Sequence, residues 1–345
     1  MRNTLIGLAV TAFIVVVLSI QLNAFRDYQI ALIAVDVTAV AGLTVLTGLS
    51  GQISLGHGAF MAIGAYVAAL LIIHLNWPFI LVLLIAGAAT AAAGAIVGIA
   101  AARLRGPYLA GATLMLGVAL PTLAYAYQSV FGGDQGLAPV FTTPGFLGAS
   151  FPLSRWQAWV ASAVALVTVA LLANLSRGRV GREWRAVRDD EVAAALAGVN
   201  VARARVLAFV VSAACAGLAG AVLAIVTESV APSSFTITVS ITLLTAAVIG
   251  GLGTLPGAIW GSLLVVLAPT YITDVATSHG LSSTVGSNIP IVAYGVILIV
   301  VMLAFPQGLQ GALRRLFAPG QQRWPGRQSA GSRGTHQEEG ISEQT

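Results

Sequence analysis

Apolar runs of 18 or more residues recur along this chain, and a run of that length can cross a bilayer as a helix. In lipid the backbone has no water to bond to, so each run must satisfy its own N–H and C=O groups internally. A chain of 345 residues could instead bury apolar sequence in a soluble core. Its composition argues otherwise: 57% of residues are hydrophobic and only 8% are charged, whereas about a quarter of a soluble domain is charged. The expected fold is therefore an all-α polytopic membrane protein.

Ten runs read as transmembrane helices: 5–22, 29–49, a third from Gly58 to about residue 73, 79–102, 108–128, 156–175, 206–227, 236–250, 258–272 and 289–305. A cleaved signal peptide is the rival reading of 5–22, but the stretch is long for one, and no small-x-small cleavage pattern precedes Arg26. Ten spans put both termini on one side, and the arginines choose which. With the N-terminus in the cytoplasm, 15 of the 17 arginines are cytoplasmic, and only Arg26 and Arg155 lie outside. That is the positive-inside bias. It places residues 1–317 in a membrane domain and 318–345 in a Gly-, Gln- and Ser-rich cytoplasmic tail of disordered composition. The +5 charge thus belongs to loops beside lipid and does not point to nucleic acid.

Two absences narrow the chemistry. All 17 basic residues are arginine. A phosphate-binding P-loop needs its lysine, so this chain cannot itself be a standard P-loop ATPase. Cys215 is the single cysteine, which excludes an intrachain disulfide, and no Cys/His constellation for a metal is present.

The polar island Ser176–Arg205 stands out between these spans, with 7 of the 17 arginines and 4 of the 12 acidic residues. Asp189, Asp190 and Glu191 precede the helix-forming VAAAL, where acidic groups complement the helix dipole and cap free N–H groups. Gly198 suits a left-handed cap, so a helix of about two to three turns is expected here. Gly181–Arg188 reads as a second short, basic helix at the membrane surface. Thirty residues capped in this way exceed what joining two spans requires.

The island, with RAVRDDEVAAALAGVNVARAR at its heart, resembles the cytoplasmic coupling loop of bacterial ABC importer permeases for branched-chain amino acids, of the M-type subunit. Three further stretches resemble the same family in the same order: GLSGQISLGHGAFMAIGAY (48–66), RLRGPYLAGATL (103–114) and PSSFTITVSITLLTAAVIGGLGTLPGAIWG (232–261). The resemblance runs from about residue 30 to 310 and implies a permease bundle of about ten helices with a cytoplasmic coupling helix in the bacterial inner membrane. Arg188, Asp189 and Asp190 match the charged lead-in of the coupling segment, and Glu191, Ala193, Ala194 and Gly198 match its EAA-then-Gly pattern. Gln52, Ser54, Gly56 and His57 match a loop near the translocation path. The implied partners are two ATP-binding subunits that hold ATP and magnesium, a homologous permease, and a periplasmic substrate-binding protein. This chain needs no cofactor of its own. Two departures concern cargo: Thr44 stands where the family more often has Asn, and GVALPTLAYAY replaces polar or charged residues in the fifth span. Urea or short amides are the alternative cargo.

Other residues invite rival functions. Asp36 lies mid-span, and an intramembrane carboxylate marks a pathway or proton site by default, the competing reading being a hydrogen-bonded acid helped by Thr38. With His57 it would serve a proton-coupled secondary transporter. Gly48–Gly51 fits the GxSG pattern of membrane serine proteases, but needs a histidine base within reach. GGLGTLPG (250–257) is a second break on the same side as Gln52–His57, the arrangement of paired broken segments found at transporter sites. FGGDQGL exposes Asp134 and Gln135 to a periplasmic partner, while Glu228 reads as a solvated loop residue. The small residues Gly94 and Gly98, Gly257 and Gly261, and Ala213, Gly217 and Ala221 read as close packing within the bundle.

Overall fold

The computed structural model describes residue 19 and residues 23–104, 106–141, 143, 151–278, 295–296, 299–300, 303–304 and 308–317. The expected first span, apart from Ser19, most of the tenth and the whole tail lie outside the described residues. The other eight spans are present as helical segments long and apolar enough to cross a membrane.

The helices follow in order: α1 (Ala24–Leu43), α2 (His57–Leu75), α3 (Phe79–Ala101), α4 (Pro107–Ala126), the short α5 (Gln128–Phe131) and α6 (Leu153–Arg177). Then come α7 (Arg179–Asp189), α8 (Glu191–Leu196), α9 (Val201–Thr227), α10 (Ile237–Gly250), α11 (Leu255–Ser278) and α12 (Gly308–Phe317). A π-helical turn, Thr44–Leu49, extends α1.

Helix α9 forms the centre, flanked by α1, α2 and α3. Lipid supplies no hydrophobic drive between helices, so small residues that let backbones approach decide the packing. Gly94 faces Ala213, and Gly98 faces Phe209 and Val206. Gly64 meets Gly217, and Gly220 meets the Met61 carbonyl. Gly257 packs on Gly250, and Gly261 on Ala246. The small-residue motifs therefore serve contacts within this chain, as the sequence suggested.

Helix α4 contrasts with this core. Gly111, Gly117 and Pro121 lie along it, yet the helix runs unbroken to Ala126 and turns only at Tyr127. Proline forfeits one backbone bond, which a membrane helix tolerates when its neighbours or local adjustments absorb the loss. Tyr108, Met115, Val118 and Leu123 on this helix are exposed, and a side chain at Gly111 would meet nothing within 4 Å.

Contacts between helix ends sort into two groups. At one end Arg155 pairs with Asp27 at 3.6 Å, the Gln157 amide donates to the Ile225 carbonyl at 2.8 Å, and Leu137 and Val230 exchange backbone bonds. At the other end lie the folded polar island and every segment it touches. This is the separation that alternating spans require, with Arg26 and Arg155 opposite the island.

Candidate functional site

The island folds because its sequence allows three successive caps. Gly178 ends α6, and α7 then buries Gly181, Trp184 and Val187, spaced three apart on one face. Gly181 lies against the Ser176 backbone, and the Trp184 indole N–H donates to the Ala204 carbonyl at 2.9 Å. Helix α7 is thus an anchored element and not a loose surface helix. Asp190 is extended (φ −155°, ψ 109°), and its carboxylate accepts from the Val192 and Ala193 N–H groups, an N-cap for α8. The Val199 N–H bonds the Ala194 carbonyl and the Gly198 N–H bonds the Ala195 carbonyl, both at 3.0 Å, with Gly198 at φ 85°. That pair of bonds is a Schellman C-cap. Asn200 then caps α9 through the Arg203 N–H. The caps at Asp190 and Gly198 follow the sequence, the one at Asn200 was not singled out there, and α8 is shorter than expected. It has six residues, because Asp189 closes α7 instead of opening α8.

Two arginines tie this hairpin to the bundle. Arg205 pairs with Glu191 at 2.8 Å, fixing the start of α8 against the first turns of α9. Arg188 reaches further: its Nη1 donates to the Gly48 carbonyl at 2.7 Å, while Nε and Nη2 donate to Asp189 Oδ1 at 2.9 and 2.8 Å. Gly48 lies in the π-helical turn, where carbonyls lack their usual helical partners. A side chain at Gly48 would strike the Gly253 backbone, and one at Gly51 would strike Arg188 Cγ at 2.8 Å. Three segments distant in sequence therefore meet at one guanidinium: the turn after α1, the end of α7 and the α10–α11 loop.

The outer face of α8 differs in kind. Ala194 points inward, whereas Val192 is 69% exposed and Leu196 85% exposed, one helical turn apart. Two apolar side chains held in water on a capped helix form a contact surface, and burying each fully is worth about 1.5–3 kcal/mol. The apolar Val192 was not singled out from sequence; its i,i+4 spacing to Leu196 was the signal available.

From Gly51 the chain runs without helix through Gln52, Ile53, Ser54 and Leu55 to His57, where α2 begins. Gly58 N–H donates to Ser240 Oγ at 2.9 Å, and Ser240 lies ten residues from Gly250 on α10, about 15 Å along that helix. His57 Nε2 lies 2.9 Å from Ser212 Oγ, eleven residues into α9, or about 16 Å along it. Helix α2 therefore starts near the middle of the membrane, with extended backbone below it. Ser212 spends its proton on the Gly42 carbonyl at 2.8 Å, so His57 Nε2 is the donor to Ser212, which fixes the tautomer. Gln52 donates to Ser50 Oγ at 2.7 Å, and Leu55 N–H donates to Thr113 Oγ1 at 3.0 Å. Gln52, Ser54, Gly56 and His57 are all buried, whereas Gly51, Ile53 and Leu55 keep some exposure. Ser50 answers Gln52 and not a histidine, so no protease pair is assembled there.

Asp36 sits mid-way along α1, partly buried, with no hydrogen bond or ion pair among the described residues. Thr38 does not assist it, because its hydroxyl turns back to the Ala34 carbonyl at 2.9 Å. At the far end Asp134 and Gln135 are exposed on a 3₁₀ turn bounded by Gly132, Gly133 and Gly136, all at positive φ. The Leu137–Val230 bridge and an edge-on contact between Phe131 and Tyr66, ring centres 5.0 Å apart, fix that turn. Glu228, in the left-handed region at φ 51°, accepts from Gln157 at 3.4 Å, so it closes α9 and is held by α6.

Comparison with known proteins adds the following. The sequence profile of the family described as branched-chain amino acid transport system / permease component matches residues 25–305. The high-affinity branched-chain amino acid transport system permease protein LivM of Salmonella typhimurium is 32% identical over 291 residues, covering 78% of this chain and 66% of the relative. LivM of Escherichia coli gives the same figures. The chain thus spans just under two thirds of the length of these two relatives. LivH of Salmonella typhimurium is 30% identical over 295 residues, 78% of this chain and 89% of the relative. No solved structure gives a significant match.

Proposed function

The chain belongs to the branched-chain amino acid permease family, of the LivM type, and from that premise we propose that it is the transmembrane permease subunit of an ATP-driven importer for leucine, isoleucine and valine. It sits in the bacterial inner membrane with both termini in the cytoplasm. It works beside a homologous permease, takes cargo from a periplasmic binding protein, and is driven by two ATP-binding subunits. ATP and its magnesium belong to those subunits.

The observation that carries this reading is the island. A segment anchored inward by Trp184, Arg188 and Arg205 presents Val192 and Leu196 outward, as a docking surface must. Helix α8 would seat on an ATP-binding subunit, with Glu191, Ala193, Ala194 and Gly198 shaping the seat and Asp189 and Asp190 flanking it. Closure of the ATP-binding pair on nucleotide would move α7–α8 as one piece. Through Arg188 the movement reaches the π-helical turn below α1 and the α10–α11 loop, and the bundle changes the side to which it opens. Gln52, Ser54, Gly56 and His57 lie at the joint between these turns and the start of α2. Asp134 and Gln135 would face the binding protein.

The test is co-purification from membranes. Val192→Asp with Leu196→Asp leaves every inward contact of the island in place and should strip the ATP-binding subunits from the permease while it remains inserted. Retention of those subunits at the unmodified ratio would overturn the docking assignment.

A further inference from the structure

The segment leading into α10 differs from much of the bundle in what its hydroxyls do. Thr38, Thr90, Thr122 and Thr245 each turn the hydroxyl back onto the carbonyl four residues earlier. That is how a hydroxyl is satisfied where no water reaches. Ser233, Ser234, Thr236 and Thr238 are exposed, and their hydroxyls make no hydrogen bond among the described residues.

Their depth makes this costly. Helix α10 has 14 residues, about 21 Å, and its Gly250 end adjoins the α10–α11 loop held at Gly48 and Arg188. Thr238 and Thr236 thus lie about 18 and 21 Å from that end, inside a hydrocarbon layer about 30 Å thick. A side chain at Gly58 would meet the Phe235 and Thr236 carbonyls at 3.5 and 3.3 Å, and Gly58 opens α2. The two broken segments, one rising from the island end and one descending from the far end, therefore meet in mid-membrane. Pro232 and Phe235 are buried and fasten the descending one. Irregular backbone with unsatisfied hydroxyls does not face lipid; it lines protein or a wet cavity.

We infer that Ser233, Ser234, Thr236 and Thr238 line the translocation route and hold the α-ammonium and α-carboxylate groups of the cargo. The inference rests on the importer reading. A hydroxyl both donates and accepts, so a row of them can take both charged ends of a zwitterion without a fixed charge to trap it, and conduction requires weak, multiple sites. The buried Gln52, Ser54 and His57 support the route from behind and do not line it.

Cysteine labelling of the intact importer in proteoliposomes, with the binding protein present, tests this. Cys215 is buried and is the only cysteine of this chain, so Thr236→Cys and Thr238→Cys can be read singly on this subunit, separated after labelling with a charged, water-borne thiol reagent. Ile96→Cys, on the exposed apolar face of α3, is the lipid-facing control. Both threonine variants should react while Ile96→Cys stays silent. Leucine at four times its half-saturating concentration should slow the reaction about fivefold, since protection by a competing ligand scales as one plus its concentration over Kd. Silence at both positions, or labelling indifferent to leucine in an importer that transports leucine, would overturn the assignment. Silence would show that the partner permease or lipid covers the segment. If the unmodified importer moves no leucine at all, the cargo reading fails instead, and labelling against the Ile96→Cys control still decides whether the segment lines the route.

Discussion

Helices α9 and α4 are both apolar enough to cross a membrane, yet they are built for opposite purposes. Along α9 most inward positions are Gly, Ala, Ser or Cys, and α1, α2 and α3 close around it. Along α4 a side chain at Gly111 would meet open space and one at Gly117 would meet its neighbours only at 3.4 Å or more, and large side chains stand exposed. Overall hydrophobicity does not distinguish the two; the distance between backbones does. The first is a chassis with no slack, and the second borders the segments where polar groups reach mid-membrane.

The largest expected effect separates them directly. Gly64→Leu would drive a side chain into the Gly217 backbone. Over-packing costs about 1–3 kcal/mol even where side chains can yield, and here only backbone could, so the variant should fail to accumulate as folded protein. Gly111→Leu, with nothing within 4 Å, should accumulate normally. Equal yields, measured by detergent-extracted monodisperse protein, would erase the contrast.

Next in size is Arg188→Ala, which cuts the link from island to bundle without touching Val192 or Leu196. A charge-assisted hydrogen bond is worth about 1.5–3 kcal/mol, so transport per ATP hydrolysed should fall about tenfold or more while the ATP-binding subunits stay bound. Arg188→Lys keeps one donor for the Gly48 carbonyl and should recover most of that ratio. Normal coupling in Arg188→Ala would show that the island moves the bundle through some other contact. The smallest effect is expected at Asp36, a carboxylate inside the chassis. Asp36→Asn should leave ATP-driven transport within about twofold, the range of a side chain outside strongly coupled networks. A loss beyond that, or dependence on a pH gradient, would carry the route into the chassis.

Much of this architecture is legible in the sequence because it rests on local signals. The eight described spans follow from run length, and the caps of α8 follow from Asp190 and Gly198. The meeting at Arg188 is not local: Gly48 lies 140 positions away in the chain, and no periodicity connects them. The burial of His57 was equally hidden, because helices apolar all round carry no stripe to say which face is inward. The exposed row Ser233–Thr238 lay inside a motif already recognised, but only the shortness of α10 and its contact with Gly58 give it a depth.

The π-helical turn Thr44–Leu49 can also be considered as length. Ser50 N–H reaches back five residues to the Val45 carbonyl, and Gln52 N–H six residues to Leu46, so the turn holds more chain than an α-helical one would. Rewinding it to α-helix would take up one residue, which amounts to about 1.5 Å of travel and about 100° of rotation. That surplus sits where Arg188 grips Gly48. About one residue of spare length is thus stored at the foot of α1.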